Sequence, residues 1–110
     1  MPNTRTYSKY AAEAVSLLGK QIKAERKFRR LSESELAERA GISRATLQKI
    51  ENGEMTCAIG LVFEVASIVG LTLFESDHTA LRSQLKRTEE KLSLLPRRIR
   101  EKPKEIDDDF

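Results

Sequence analysis

Between Ser43 and Lys49 the sequence SRATLQK gathers side chains with much to offer a ligand. Ser43 is placed to cap a helix, which would leave Arg44, Ala45, Gln48 and Lys49 free of any core. Arg and Lys donate to guanine, Gln matches adenine, and Ala meets a thymine methyl. The chemistry on offer is recognition of base edges. Cys57 and His78 have the types of a nucleophile–base pair, but a lone Cys among Thr56, Ala58 and Ile59 reads more simply as a small buried apolar residue. One Cys and one His leave no clustered ligand set for zinc, and no glycine-rich phosphate cradle occurs. The expectation is a protein without catalytic residues, metal or cofactor, and not an enzyme.

The elements that must position the SRATLQK stretch are helices. Residues 33–52, ESELAERAGISRATLQKIEN, read as two helices of about eight residues joined by a short turn containing Gly41, the pattern of a helix-turn-helix. Ser32 and Glu35 form a capping box for the first helix. Ala37 is small where the helices cross. Gly41 permits the positive φ of the turn, and Ile42, Leu47 and Ile50 fill the wedge behind. Asn52-Gly53 ends the second helix, both residues tolerating the left-handed conformation.

Around this unit, Ala11, Val15, Leu18 and Ile22 mark one face of a helix from Tyr10 to about Arg29. A helix over residues 58–70 has Ile59, Val62, Phe63, Ala66 and Val69 on one face and Leu61, Val65 and Ile68 on another. Two apolar faces need two burial partners, so the second is assigned to another subunit. Leu71-Thr72-Leu73-Phe74 is β-prone and reads as a short dimerising strand, whose pairing across a two-fold axis would hide a sheet edge. The predicted homodimer interface is Leu61, Val65, Ile68, Leu71, Leu73 and Phe74. Asp77 caps a last helix carrying Leu81, Leu85, Leu92 and Leu95, with Pro96 just past its end.

With 110 residues, 39% hydrophobic and 34% charged, the chain suits one soluble helical domain. That length leaves no separate effector domain, so no small-molecule ligand is expected. No apolar run approaches the roughly 18–20 residues that span a bilayer, MPNTRTYSKY lacks a signal-peptide core, and one Cys suits a reducing compartment. A cytoplasmic, nucleoid-associated protein without membrane contact is the expectation. The net charge of +3 is uneven: residues 1–31 carry +6 and residues 78–100 carry +5, around a negative middle. Basic blocks attract polyanions through counterion release.

From Leu18 to about Leu73 the chain resembles the XRE/Cro/lambda-repressor family of helix-turn-helix domains, on the segments LGKQIKAERKFRRLSESELAERAGIS and ATLQKIENGE. The resemblance implies an all-α fold: a compact five-helix DNA-binding domain with an N-terminal helical extension, the short strand, a C-terminal helix and a mobile tail. It maps base contacts onto Arg44, Ala45, Gln48 and Lys49 and phosphate contacts onto Lys23, Ser43 and Asn52. Arg26 and Glu51 become a structural pair. Where the family usually places Gln at the start of the second helix, this chain has Glu33, whose carboxylate repels phosphate. Pairing with Arg29 or Arg30, or accepting from a cytosine amino group, are the alternatives for it.

GLTLFES and the chain as a whole also resemble the antitoxins, HipB-like, that accompany HipA-type kinase toxins. That likeness implies two roles: repression of its own operon through an inverted-repeat operator in double-stranded DNA, and restraint of a HipA-like kinase. A repressor with no toxin partner is the competing reading. The expected division is residues 10–75 for DNA binding, 76–95 for an amphipathic helix and 96–110 for a flexible charged tail. That tail ends in Asp107, Asp108, Asp109 and Phe110. An acidic run with one aromatic suits a basic, partly apolar groove on the toxin; a solubilising tail is the alternative.

Overall fold

The structure, a computed structural model, describes residues 5–75 and 77–101. The chain divides into two compact units, the first ending at Leu73 and the second beginning at Phe74. Five α-helices and no strands occur among the described residues: α1 (Lys9–Phe28), α2 (Glu33–Ala40), α3 (Arg44–Glu51), α4 (Ile59–Ile68) and α5 (His78–Ser93). The fold is all-α, with four helices in the first unit and α5 in the second.

Local chemistry sets the helix boundaries. Ser8 Oγ accepts from the Ala11 N–H at 3.1 Å to start α1. At α2 the capping box closes in both directions: Ser32 Oγ accepts from the Glu35 N–H at 3.0 Å and Glu35 Oε1 accepts from the Ser32 N–H at 2.8 Å. Ser43 Oγ accepts from the Thr46 N–H at 3.0 Å to start α3. In α1 to α4 the chain leaves the helix through one left-handed residue, followed by an N–H that reaches back over five residues: Leu31 to Arg26, Ile42 to Ala37, Glu54 to Lys49 and Leu71 to Ala66. Gly41, at φ 71°, supplies the left-handed residue in the turn between α2 and α3. At the end of α1 that position falls to Arg30 at φ 60°. At the end of α3, Asn52 stays right-handed at φ −82° and Gly53 makes the reversal.

The core of the first unit is Ile22, Leu36, Ala37, Leu47, Ile50, Val65, Ala66 and Val69, with Leu18, Ile42, Val62, Ile68, Leu71 and Leu73 packed against it. Fully burying one large aliphatic chain contributes about 1.5–3 kcal/mol. α2 packs on α3 and α4, and α1 packs on α3. The α1–α3 crossing is close, because a Cβ on Gly19 would stand 2.6 Å from the Ile50 carbonyl oxygen and 2.7 Å from that of Glu51.

α4 departs from its expected orientation. Val65, assigned above to a subunit interface, is fully buried in the chain's own core, while Ile59, assigned inward, is 71% exposed. The inward stripe is Val62, Val65, Ala66 and Val69, at i, i+3, i+4 and i+7. Gly60, Glu64 and Ser67 lie diametrically opposite and mark the outer side.

The expected strand is also absent from the single chain: residues 71–74 form no ladder and bend at Leu73 and Phe74. A strand needs a neighbouring strand to satisfy its backbone, and the described residues offer none. Leu71 instead donates its N–H to Ala66 at 2.8 Å and closes the end of α4.

In the second unit Asp77 Oδ1 accepts from the Thr79 N–H at 3.3 Å to cap α5. No residue of α5 is buried, and its stripe Leu81, Leu85 and Leu92 is exposed; Leu95, expected on the same helix, lies past its end because the helix stops at Ser93 with Leu94 as its cap, and it is exposed too. No helix among the described residues is long and apolar enough to cross a membrane.

Candidate nucleic-acid interface

α3 turns Leu47 and Ile50 into the core, so the residues away from that side of the helical wheel must face out. Arg44, Ala45, Gln48 and Lys49 are all exposed, forming a continuous polar surface. Ser43 is exposed at the head of the helix, its hydroxyl also donating to Thr46 Oγ1 at 2.9 Å. Asn52 is exposed at the other end, its backbone N–H donating to the Gln48 carbonyl at 2.9 Å.

Beside that end lies a basic flank contributed by α1. Lys20, Lys23 and Lys27 line a shallow open depression together with Ala24, Glu51 and Asn52. Lys23 was assigned to phosphate on resemblance; Lys20 and Lys27 join it because residues three and four apart share a helix face. Their spacing in the sequence already carried that signal.

Beneath the surface, Arg26 fastens α1 to α3. Its Nε donates to Glu51 Oε2 at 2.7 Å and its Nη2 to Oε1 at 3.1 Å, a bidentate pair almost out of water. Its Nη1 donates to the Leu31 carbonyl at 3.0 Å and holds the α1–α2 turn. The hydrogen bond with Glu51 pushes the Arg26 guanidinium above its ordinary value, against the opposing effect of burial.

Glu33 pairs with neither Arg29 nor Arg30. Its Oε1 accepts from Gln48 Nε2 at 2.9 Å and from Arg44 Nε at 3.0 Å. Its Oε2 lies 3.9 Å from Arg26 Nη2. Arg29 pairs with Glu25 instead, at 3.7 Å. The bonds from Gln48 and Arg44 hold the Glu33 carboxyl below the usual carboxylate range. Partners eleven and fifteen positions away leave no local signature, which is why spacing alone missed them.

Cys57 is half-buried against the core. Burial and the nearby Glu54 carboxylate push its thiol up, which opposes the thiolate that a nucleophile requires. Of the predicted interface, Leu61 is 37% exposed and Phe74 70% exposed, whereas Ile68, Leu71 and Leu73 are half-buried against the core. The acidic assignment Asp107, Asp108, Asp109 and Phe110 lies outside the described residues.

Residues 22–75 match the helix-turn-helix family model. Two solved structures share the fold. One, named "MDT Protein", is 24% identical with a TM-score of 0.51, over 69% of this chain and 99% of that one. The other is a HipB variant in complex with an O2 20mer, 22% identical with a TM-score of 0.51, over 70% of this chain and 99% of that one. No curated protein sequence matches the chain.

Proposed function

Residues 22–75 constitute a helix-turn-helix domain of the XRE type, and from that premise we propose that the protein is a sequence-specific transcriptional autorepressor and the antitoxin of a HipA-like Ser/Thr kinase. The helix-turn-helix family is one of DNA-binding regulatory domains. The observation that carries the DNA-binding reading is the exposed set Arg44, Ala45, Gln48 and Lys49 on α3, bordered by the lysines of α1. α3 enters the major groove with this set toward base edges. Lys20, Lys23 and Lys27, with Ser43 and Asn52, take the phosphates on either side.

One α3 reads only a few base pairs. Useful specificity needs two half-sites about one helical turn, roughly 34 Å, apart, and hence a two-fold dimer. Leu61, with the edges of Ile68, Leu71 and Leu73, is the apolar surface of the first unit assigned to that dimer, and Phe74 of the second unit is assigned to it as well. The likeness to a HipB fold supports the antitoxin role, and the tail ending in Asp107, Asp108, Asp109 and Phe110 is assigned to the kinase.

Selection from random duplexes tests the first part: the enriched site is an inverted repeat, and a footprint without dyad symmetry overturns it. Co-purification with a HipA-like kinase encoded beside the gene tests the second. A specific operator with no such kinase leaves a repressor without a toxin partner.

A further inference from the structure

Glu33 opens α2, yet its side chain crosses the turn and ends on α3, where one oxygen receives both Arg44 and Gln48. We propose that Glu33 sets base preference by locking Arg44 and Gln48 into one reading unit, with Arg44 committed to guanine and Gln48 to adenine. The inference rests on α3 being the base-reading helix.

Chemistry on each side of the carboxylate leads to that commitment. Arg44 gives its Nε–H to Glu33, which leaves the two terminal amino groups as a fork. That fork matches guanine O6 and N7. An ionised carboxylate only accepts, so the end of the Gln48 amide beside it must be the nitrogen. One amide hydrogen is then engaged, and one N–H and the carbonyl oxygen remain. These are the donor and acceptor that adenine N7 and N6 require. A free glutamine can turn either end of its amide toward the groove; the carboxylate fixes one.

The far side of Glu33 is anchored as well. Its Oε2 faces the Arg26 guanidinium at 3.9 Å, and Arg26 is itself held by Glu51. Four alternating charges therefore run from the buried pair to the surface: Glu51, Arg26, Glu33 and Arg44. A carboxylate presents acceptors to both arginines at once, whereas an amide has an acceptor for one and offers donors to the other. The negative charge also weakens attraction to phosphate. Glu33 thus acts on selectivity rather than on raw affinity, as a positioning residue.

The experiment is random-duplex selection followed by titration, using the full chain, Glu33→Gln, Glu33→Asp and Arg44→Ala, each checked for folding by thermal melt. The wild type should enrich sites with a fixed guanine and a fixed adenine in each half. Glu33→Gln should relax both positions together, by about tenfold each, and bind random duplex more tightly as Arg44 becomes free to reach phosphate. Glu33→Asp keeps the charge but loses one methylene of reach, so both positions relax while random-duplex affinity stays low. Arg44→Ala should relax the guanine position alone. If the wild type enriches nothing, the DNA-reading assignment of α3 fails. If it enriches a site and Glu33→Gln or Glu33→Asp keeps both preferences, the role of Glu33 is overturned with DNA reading intact.

Discussion

Arg26 Nε stands 2.7 Å from Glu51 Oε2, and the two side chains retain only 7% and 3% of their accessible surface. α1 and α3 are therefore tied by a buried, two-pronged ion pair whose remaining valence holds the α1–α2 turn. Removing one partner strands the other charge away from water.

Arg26→Ala or Glu51→Ala should each destabilise the protein by about 3–5 kcal/mol, the usual cost of an orphaned buried charge. Replacing both together with apolar residues of similar size should recover much of that loss. Urea denaturation of the three variants checks the ordering; a double variant as unstable as the worse single one would contradict it.

Gly19 and Gly60 should respond in opposite directions to alanine. Alanine ordinarily gains about 0.5–1 kcal/mol over glycine within a helix. At Gly60 a Cβ meets nothing within 4 Å, so Gly60→Ala should show that gain or part of it. At Gly19 the Cβ would press on backbone carbonyls of α3, which cannot swing aside. Gly19→Ala should therefore lose about 1–3 kcal/mol, as overpacking does. Thermal melts of both variants are sufficient.

Arg44 and Lys23 should separate base reading from phosphate binding. Arg44→Ala should cost about 1–3 kcal/mol at one base position and leave random duplex little changed. Lys23→Ala should weaken binding to all duplexes alike and lower the salt slope by about 1. Titrations at several salt concentrations distinguish the two; equal losses on specific and random DNA for Arg44→Ala would remove it from the base-contacting set.

Leu61→Lys tests the assigned dimer surface, because Leu61 is accessible whereas Val65 is not. It should yield folded monomers that no longer bind the operator. Val65→Lys should instead unfold the domain, since it forces a charge into the core. Sedimentation and circular dichroism distinguish these outcomes; an unchanged dimer for Leu61→Lys would exclude that face.

Acid should loosen α2 first. Hydrogen bonds from Gln48 and Arg44 lower the Glu33 carboxyl, and those from Ser32 lower that of Glu35. For a carboxyl depressed in the folded state, the stabilisation is complete above the unfolded value near 4.3. It is lost as pH falls through the lower folded value. Urea midpoints should hold from neutrality to about pH 5 and drop below about pH 4, and Glu33→Gln with Glu35→Gln should flatten the drop.

Much of this protein is legible along the chain. Ser32, Ser43 and Asp77 cap the helices that follow them, and Gly41 turns the chain between α2 and α3. Each of these signals is confined to a few neighbouring residues, so composition and order suffice to read it. The outward set Arg44, Ala45, Gln48 and Lys49 follows in the same way once Leu47 and Ile50 are turned inward.

α4 shows where such reading stops. Apolar residues occupy nearly every position from Ile59 to Ile68, and its orientation was legible only in the small and polar trio Gly60, Glu64 and Ser67. Val65 joined the core because packing chose the side opposite that trio.

The sequence by itself determined the helices, their ends and the polar surface of α3, because hydrogen bonds within one turn and the 3.6-residue repeat decide them. Only the tertiary structure decided that Gly19 admits the backbone of α3, that Arg26 meets Glu51 and that Glu33 gathers Arg44 with Gln48. Those relationships join residues 11 to 32 positions apart, and distance along the chain carries no information about which side chains the packing of helices will bring within reach.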